Sequence, residues 1–279
     1  RPQPDWGRVP AYEGIRAFYH YESEAPNTSV SIGTITPYTK EPDTAAVRLK
    51  YTPRYLAHAM INRRLSILAK KENAPFINGS AGAGESYGHH RQSTISLRCR
   101  ADQWQAALGV ADEALRRALE HGFQKPELDE IVANYRNGLE QAVKTDSTRR
   151  SDSISDEIAD ALLERDVWTT PEDDLALLGP ALAKFTVEDC LAALRATWSP
   201  KHRLVMVTGN AKLPTPDQAL AEITSAYEKS LAVAVTAPAL MEDAKWAYTQ
   251  FGPPGKVAKR DHVADLDITL ITFENGVRL

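Results

Sequence analysis

The residues able to do chemistry are present but dispersed. Seven histidines, His20, His58, His89, His90, His121, His202 and His262, supply the groups that most readily bind metals or carry protons near neutral pH. His89 and His90 follow Gly88 between two predicted strands. Neighbours in a strand point to opposite faces, and no Asp, Glu or third His follows at ligand spacing, so the pair reads as a solvated turn. Gly79-Ser80-Ala81-Gly82-Ala83-Gly84 has the glycine content of a phosphate loop, yet no Lys-Ser or Lys-Thr follows and the next element is a strand. It reads as a strand of small residues. Ser153, Ser155 and Asp156, near Arg149-Arg150, lack a histidine in local sequence and so offer no nucleophile with its base. Lys70, Lys71 and Glu72 read as a solvated helix end, and Glu157, Asp160 and Glu164 as an exposed helical face. Cys99 and Cys190, the only cysteines, fall in separate elements without metal-type spacing and read as two free buried thiols.

The bulk properties name no partner. A chain of 279 residues can bury a substantial core, and its composition is that of an ordinary globular protein. Lys plus Arg at 33 against Asp plus Glu at 37 leaves no basic excess for a nucleic-acid surface. No run approaches the ~18 to 20 apolar residues that span a bilayer, so neither nucleic acid nor membrane is an expected partner. The chain opens at Arg1 in a stretch containing Pro2, Pro4 and Pro10 without a charged-then-apolar signal, and any targeting peptide is expected outside it.

Alternation and helical periodicity define the elements that must position these residues. Ile15 to Ser23 and Thr28 to Pro37 read as strands joined by a turn at Pro26-Asn27. Thr44 to Asn73 is helical, and Pro53 predicts a short helix, a break and a longer helix. Two strands follow, Ile77 to Tyr87 and Ser93 to Arg100, the second with Ile95, Leu97 and Cys99 on one face. Trp104 to Leu119 carries an apolar stripe ending at Gly122, Pro126 opens a helix through Val143, and a polar break over Thr145 to Ser153 precedes another. Thr170-Pro171 and Thr186 cap two more helices, Ser199-Pro200 ends the second, and Arg203 to Gly209 is a buried strand. Beyond it, Leu213-Pro214-Thr215-Pro216 reads as a linker with a helix to Ser230, then an extended connector whose Trp246, Tyr248 and Phe251 dock onto the domain. Leu266, Ile268 and Leu270 alternate as a strand before Asn275-Gly276, a tight-turn pair with a short return strand.

The order of these segments resembles a domain of the pitrilysin and insulinase superfamily of zinc metallopeptidases, which includes the mitochondrial processing peptidases. The resemblance rests on Ile61-Asn62-Arg63-Arg64-Leu65 on a helix, Pro75-Phe76 before a strand, Gly122-Phe123-Gln124-Lys125-Pro126-Glu127-Leu128 before a long helix, and the helices and strand that follow Thr170. It runs over residues 14–212. It implies an α+β fold, a mostly antiparallel sheet covered by helices.

What the family needs for hydrolysis is missing here. Its helical His-x-x-Glu-His, which binds zinc through two imidazoles and activates water through the glutamate, has no counterpart. The nearest approach, Arg117-Ala118-Leu119-Glu120-His121, has an arginine that cannot ligate zinc. The family's arginine and the tyrosine seven positions later fall at Ala69 and Phe76, which carry neither cation nor hydroxyl. The resemblance therefore implies a non-catalytic second domain, without a metal or cofactor of its own, in a parent whose first domain holds zinc. Its expected partners are the other domains of that polypeptide and a peptide or protein substrate. The implied organisation is a connector over 1–13, the peptidase-like domain over 14–212, a linker between halves over 213–265 and the start of another domain over 266–279. The alternative is a peptidase-like scaffold or binding subunit whose parent has no proteolytic activity. Exported bacterial relatives point to the periplasm.

Overall fold

The computed structural model describes residues 7–86, 88–240, 250 and 252–279. The chain divides into two compact units, residues 1–241 and 242–279. The first is built on a sheet of β1 (Gly14–Tyr21), β2 (Thr28–Pro37), β3 (Asn78–Ser86), β4 (His90–Cys99) and β5 (His202–Gly209), in the order β1-β5-β2-β4-β3. Pairing is antiparallel except between β1 and β5. Register sets the core: Val30 lies between Leu97 and Val207, and Ile32 between Ile95 and Val205, all six buried. Gly209 closes β5 at φ +112°, where a Cβ would meet Asn27 O at 2.2 Å, so the strand end and the β1-β2 turn share space that only glycine leaves free.

Among the described residues seven helices follow the apolar periodicity: α1 (Ala45–Ala69), α2 (Trp104–His121), α3 (Lys125–Thr145), α4 (Ser151–Glu164), α5 (Pro171–Leu182), α6 (Val187–Thr197) and α7 (Pro216–Leu231). The stripe of α2, including Ala107, Leu108, Ala111 and Leu115, packs on β2 and β4, while α7 packs on β1 and β5 and α1 runs beside β3. Thr170 and Thr186 accept hydrogen bonds from the amides of Asp173 and Asp189, as their capping positions predict. Each such cap contributes about 1 kcal/mol. The expected α+β architecture is present, a mostly antiparallel sheet flanked by helices.

Three expectations are corrected. Pro53 does not divide α1, which continues from Ala45 to Ala69. An interior proline costs about 3 kcal/mol, and here the residues around it, Thr52, Pro53, Leu56 and Ala57, are all buried, so packing outweighs it. The linker over 213–265 contains its expected helix, α7, but the stretch beyond that helix is not extended connector throughout. α7 buries Ala219, Ile223 and Tyr227 within the first unit. In the second unit β6 (Val257–Val263) pairs antiparallel with β7 (Ile268–Phe273). Leu266 lies in a single 3-10 turn rather than in that strand. The return beyond Asn275-Gly276 is real: Thr272 bridges Arg278, and Ile271 and Leu279 exchange backbone hydrogen bonds. Trp246, Tyr248 and Phe251, expected to dock on the domain, lie outside the described residues.

The family-like motifs act as staples. Asn62 uses its amide on the backbone of β3, its Nδ2 donating to Ala81 O at 3.0 Å while its Oδ1 accepts from Ala81 N at 2.5 Å. Arg64 spans to the start of α3, donating to both carboxylate oxygens of Glu127 at 2.6 and 2.7 Å and to Gly122 O at 2.8 Å. Glu127 also accepts from Gln124 N, closing the capping box that starts α3.

Candidate functional site

β3 is an edge strand, and antiparallel geometry alternates backbone groups between its partner and its free side. Because the N–H and C=O of Ala81 are directed to Asn62, those of Gly79, Ala83 and Glu85 share that outward direction. A cleft of about 660 Å³ opens along this edge, between α1, Ala81 to Ala83 of β3, Tyr135 and Leu139 of α3, and Asp174 and Leu178 of α5. The run of small residues leaves it open. A Cβ at Gly82 or Gly84 would meet nothing within 4 Å.

The charges at the cleft are closed on one another. Arg48 binds Asp43 at 2.6 Å and reaches Asp174 at 3.3 Å. The hydrogen bond from Arg48 holds the Asp43 carboxyl below the ordinary carboxylate range against the opposing effect of burial. Arg54 donates to both oxygens of Glu85 at 2.6 and 3.2 Å, and Arg91 donates to the same carboxylate at 2.6 Å. Burial pushes Glu85 up, but the two guanidinium groups outweigh it and its carboxyl sits below its usual range. Tyr55 and Tyr135 line the cleft with ring centroids 5.1 Å apart.

His58 also lines this cleft and is only 4% exposed. Its Nδ1 lies 2.8 Å from Arg54 O. A carbonyl can only accept, so Nδ1 carries the proton and Nε2 is left an acceptor. That Nε2 is enclosed and has no hydrogen-bond partner among the described residues, an arrangement that costs about 1–3 kcal/mol. Burial pushes the imidazole below its ordinary range, more strongly than the bond to Arg54 O raises it. Its sequence signal was a polar stripe, Arg54, His58 and Asn62, at four-residue spacing on α1.

The other sequence candidates are not brought together. Ala69 ends α1 against the core and Phe76 is buried within it, so neither position faces the cleft. His89 and His90 stack edge to face at the β3-β4 turn, with centroids 5.8 Å apart. Arg117 and His121 of the near-motif bond to the carbonyls of Thr236 and Val235. Gly79 to Gly84 lies within β3 rather than in a phosphate loop. Arg149 pairs with Glu157. Cys99 and Cys190 are free and buried, and burial, before any nearby carboxylate, pushes their thiols up to about 11 and about 12. Among the described residues no three His, Cys, Asp or Glu side chains converge as metal ligands.

No family model and no curated protein matches the sequence. Solved structures do. The periplasmic protease PqqL from Escherichia coli superposes with a TM-score of 0.71 at 16% identity, over 98% of this chain and 30% of that one. A predicted insulinase family protease from Yersinia pestis gives 0.65 at 17% identity, over 80% and 49%. The fold is that of an insulinase-type protease domain. The ferredoxin protease FusC, in complex with Arabidopsis ferredoxin, shares this insulinase-type fold with a TM-score of 0.59 at 12% identity, over 96% of this chain and 30% of that one. The chain thus spans about a third of the length of PqqL. Among the described residues no helix is long and apolar enough to cross a membrane.

Proposed function

We propose that this chain is a non-catalytic wall of a peptide chamber in a larger zinc-dependent metallopeptidase, in which another domain of the same polypeptide carries the metal and the attacking water. The observation that supports it most is the cleft beside β3. The outward backbone groups of β3 beyond Ala81, whose own are taken by Asn62, can pair an extended peptide, small residues leave room for its side chains, and the flanking ion pairs present no uncompensated charge. Among the described residues the cleft offers no nucleophile with its base, and its role on this reading is shape and backbone pairing. The fold shared with PqqL and FusC favours a protein or peptide as the occupant and the periplasm as the compartment. A parent sequence with His-x-x-Glu-His upstream of Arg1 favours the peptidase, and one without it the inactive scaffold.

The test uses the purified chain and an end-blocked, fluorescein-labelled hexapeptide of alternating Thr and Val. The peptide is expected to bind by anisotropy and to remain uncut. Gly82→Val, at a cleft-lining position where an added Cβ meets nothing within 4 Å, should weaken binding about tenfold with an unchanged circular dichroism spectrum. Cleavage by the chain alone, or binding indifferent to Gly82→Val, overturns the reading.

A further inference from the structure

We propose that the solvent-facing side of the sheet binds an acidic stretch of polypeptide, and that Arg98 and Arg100 are the cations that select it. The inference rests on the peptide-chamber reading and names the class of chain the chamber favours.

Strand register builds the surface. One side of the sheet carries Val30, Ile95, Leu97 and Val205 and is buried against α2. The residues between them point the other way. In register across β3, β4 and β2, that other side presents Asn78, Arg98 and Ser29, then Ser80, Ser96 and Ser31. Asn78, Ser80 and Arg98 are exposed. Arg100 continues beyond β4 in extended backbone, at φ −73° and ψ 156°, so its side chain leaves the same side about 6.6 Å further along. It is exposed as well. Short polar side chains fill the flanking positions, which leaves the two guanidinium groups accessible.

Charge defines the ligand. Arg48, Arg54 and Arg91 at the β3 cleft are each paired with a carboxylate. Arg98 and Arg100 have neither an ion pair nor a side-chain hydrogen bond among the described residues, and Asp102, two residues on, pairs with neither. The five strands hold one acidic residue, Glu85, which has the opposite parity and is closed on Arg54 and Arg91. Two like charges this close repel, and an external counter-charge relieves the repulsion. In a chain of formal net charge −4 the cationic pair is a local feature. Side chains two apart on an extended peptide are also about 6.6 Å apart, so carboxylates at alternate positions match the two arginines one for one.

Two end-blocked hexapeptides, Thr-Asp-Thr-Asp-Thr-Val and its isosteric Asn counterpart, each carrying an uncharged coumarin label and titrated by anisotropy against the full chain at low salt, test the assignment. The Asp peptide is expected to bind about three- to tenfold more tightly than the Asn peptide, and the ratio should shrink as salt is raised. Arg98→Gln with Arg100→Gln should abolish it while leaving the Asn affinity and the circular dichroism spectrum unchanged, and Arg98→Lys with Arg100→Lys should keep part of it. Arg150→Gln, at an arginine whose side chain is 80% exposed on α4's N-terminal side, should leave it intact. Equal affinities for the two peptides, a preference that survives the double Gln variant, or an equal loss in Arg150→Gln overturns the role of the arginines and leaves the chamber reading standing. If neither peptide binds, this inference falls, and the chamber reading falls with it only when the Thr and Val hexapeptide also fails to bind.

Discussion

Arg64→Met isolates the contribution of one buried ion pair to the fold that holds the cleft. The Arg64 and Glu127 side chains are 14% and 10% exposed, joined by two hydrogen bonds, and Arg64 also donates to Gly122 O and lies 5.0 Å from the Phe123 ring. Methionine keeps the stem but removes every donor. Glu127 would retain only the Gln124 N–H among these bonds, leaving a buried anion without its cation. Loss of one partner from a buried pair costs about 3–5 kcal/mol, and the two elements released, α1 and α3, form two walls of the cleft. Urea denaturation followed by circular dichroism should show the midpoint falling at an unchanged slope. Arg64→Met combined with Glu127→Leu removes the orphaned charge, so the double variant should be more stable than Arg64→Met alone despite losing the capping box. A cost below about 1 kcal/mol for Arg64→Met, or a double variant no better than it, would refute the reasoning, since either result means the carboxylate is not desolvated as the geometry requires.

Two further outcomes follow from burial. Because the His58 imidazole is held below its unfolded range, the unfolded chain binds more protons at acid pH. The His58 contribution to stability is therefore complete above about pH 6.5 and declines below it, by up to about 1.4 kcal/mol per pH unit. Stability measured from pH 7.5 to 5.5 should fall more steeply for the native chain than for His58→Leu, and parallel curves would refute it. Cys99 and Cys190, with thiols pushed up to about 11 and about 12, should resist alkylation by iodoacetamide at pH 7.5 until the chain is unfolded in urea. Rapid labelling of either in the native protein would show that its side chain is reachable.

Local chemistry left the clearest marks in the sequence. Thr170, Thr186 and Thr215 declared their helices because a cap is made within three residues, and Ile95, Leu97 and Cys99 declared the inner face of β4 because strand alternation is strict. Pro53 misled because a local penalty was set against burial along the whole of α1, which no window of a few residues reports. β6 was read as connector because Lys259, Arg260, Asp261 and His262 carry little apolar alternation, and only pairing with β7 makes them a strand.

By itself, then, the sequence determined the succession of capped helices and strands, the α+β class and the lack of a zinc motif, all of which depend on neighbours in the chain. The cleft was decided by tertiary structure. Asn62 and Ala81 are 19 residues apart, and Arg64 and Glu127 are 63 apart. Whether an asparagine staples a strand edge, or a histidine four residues earlier keeps a bare acceptor, depends on where the sheet and α1 come to lie. Spacing along the chain does not encode that distance.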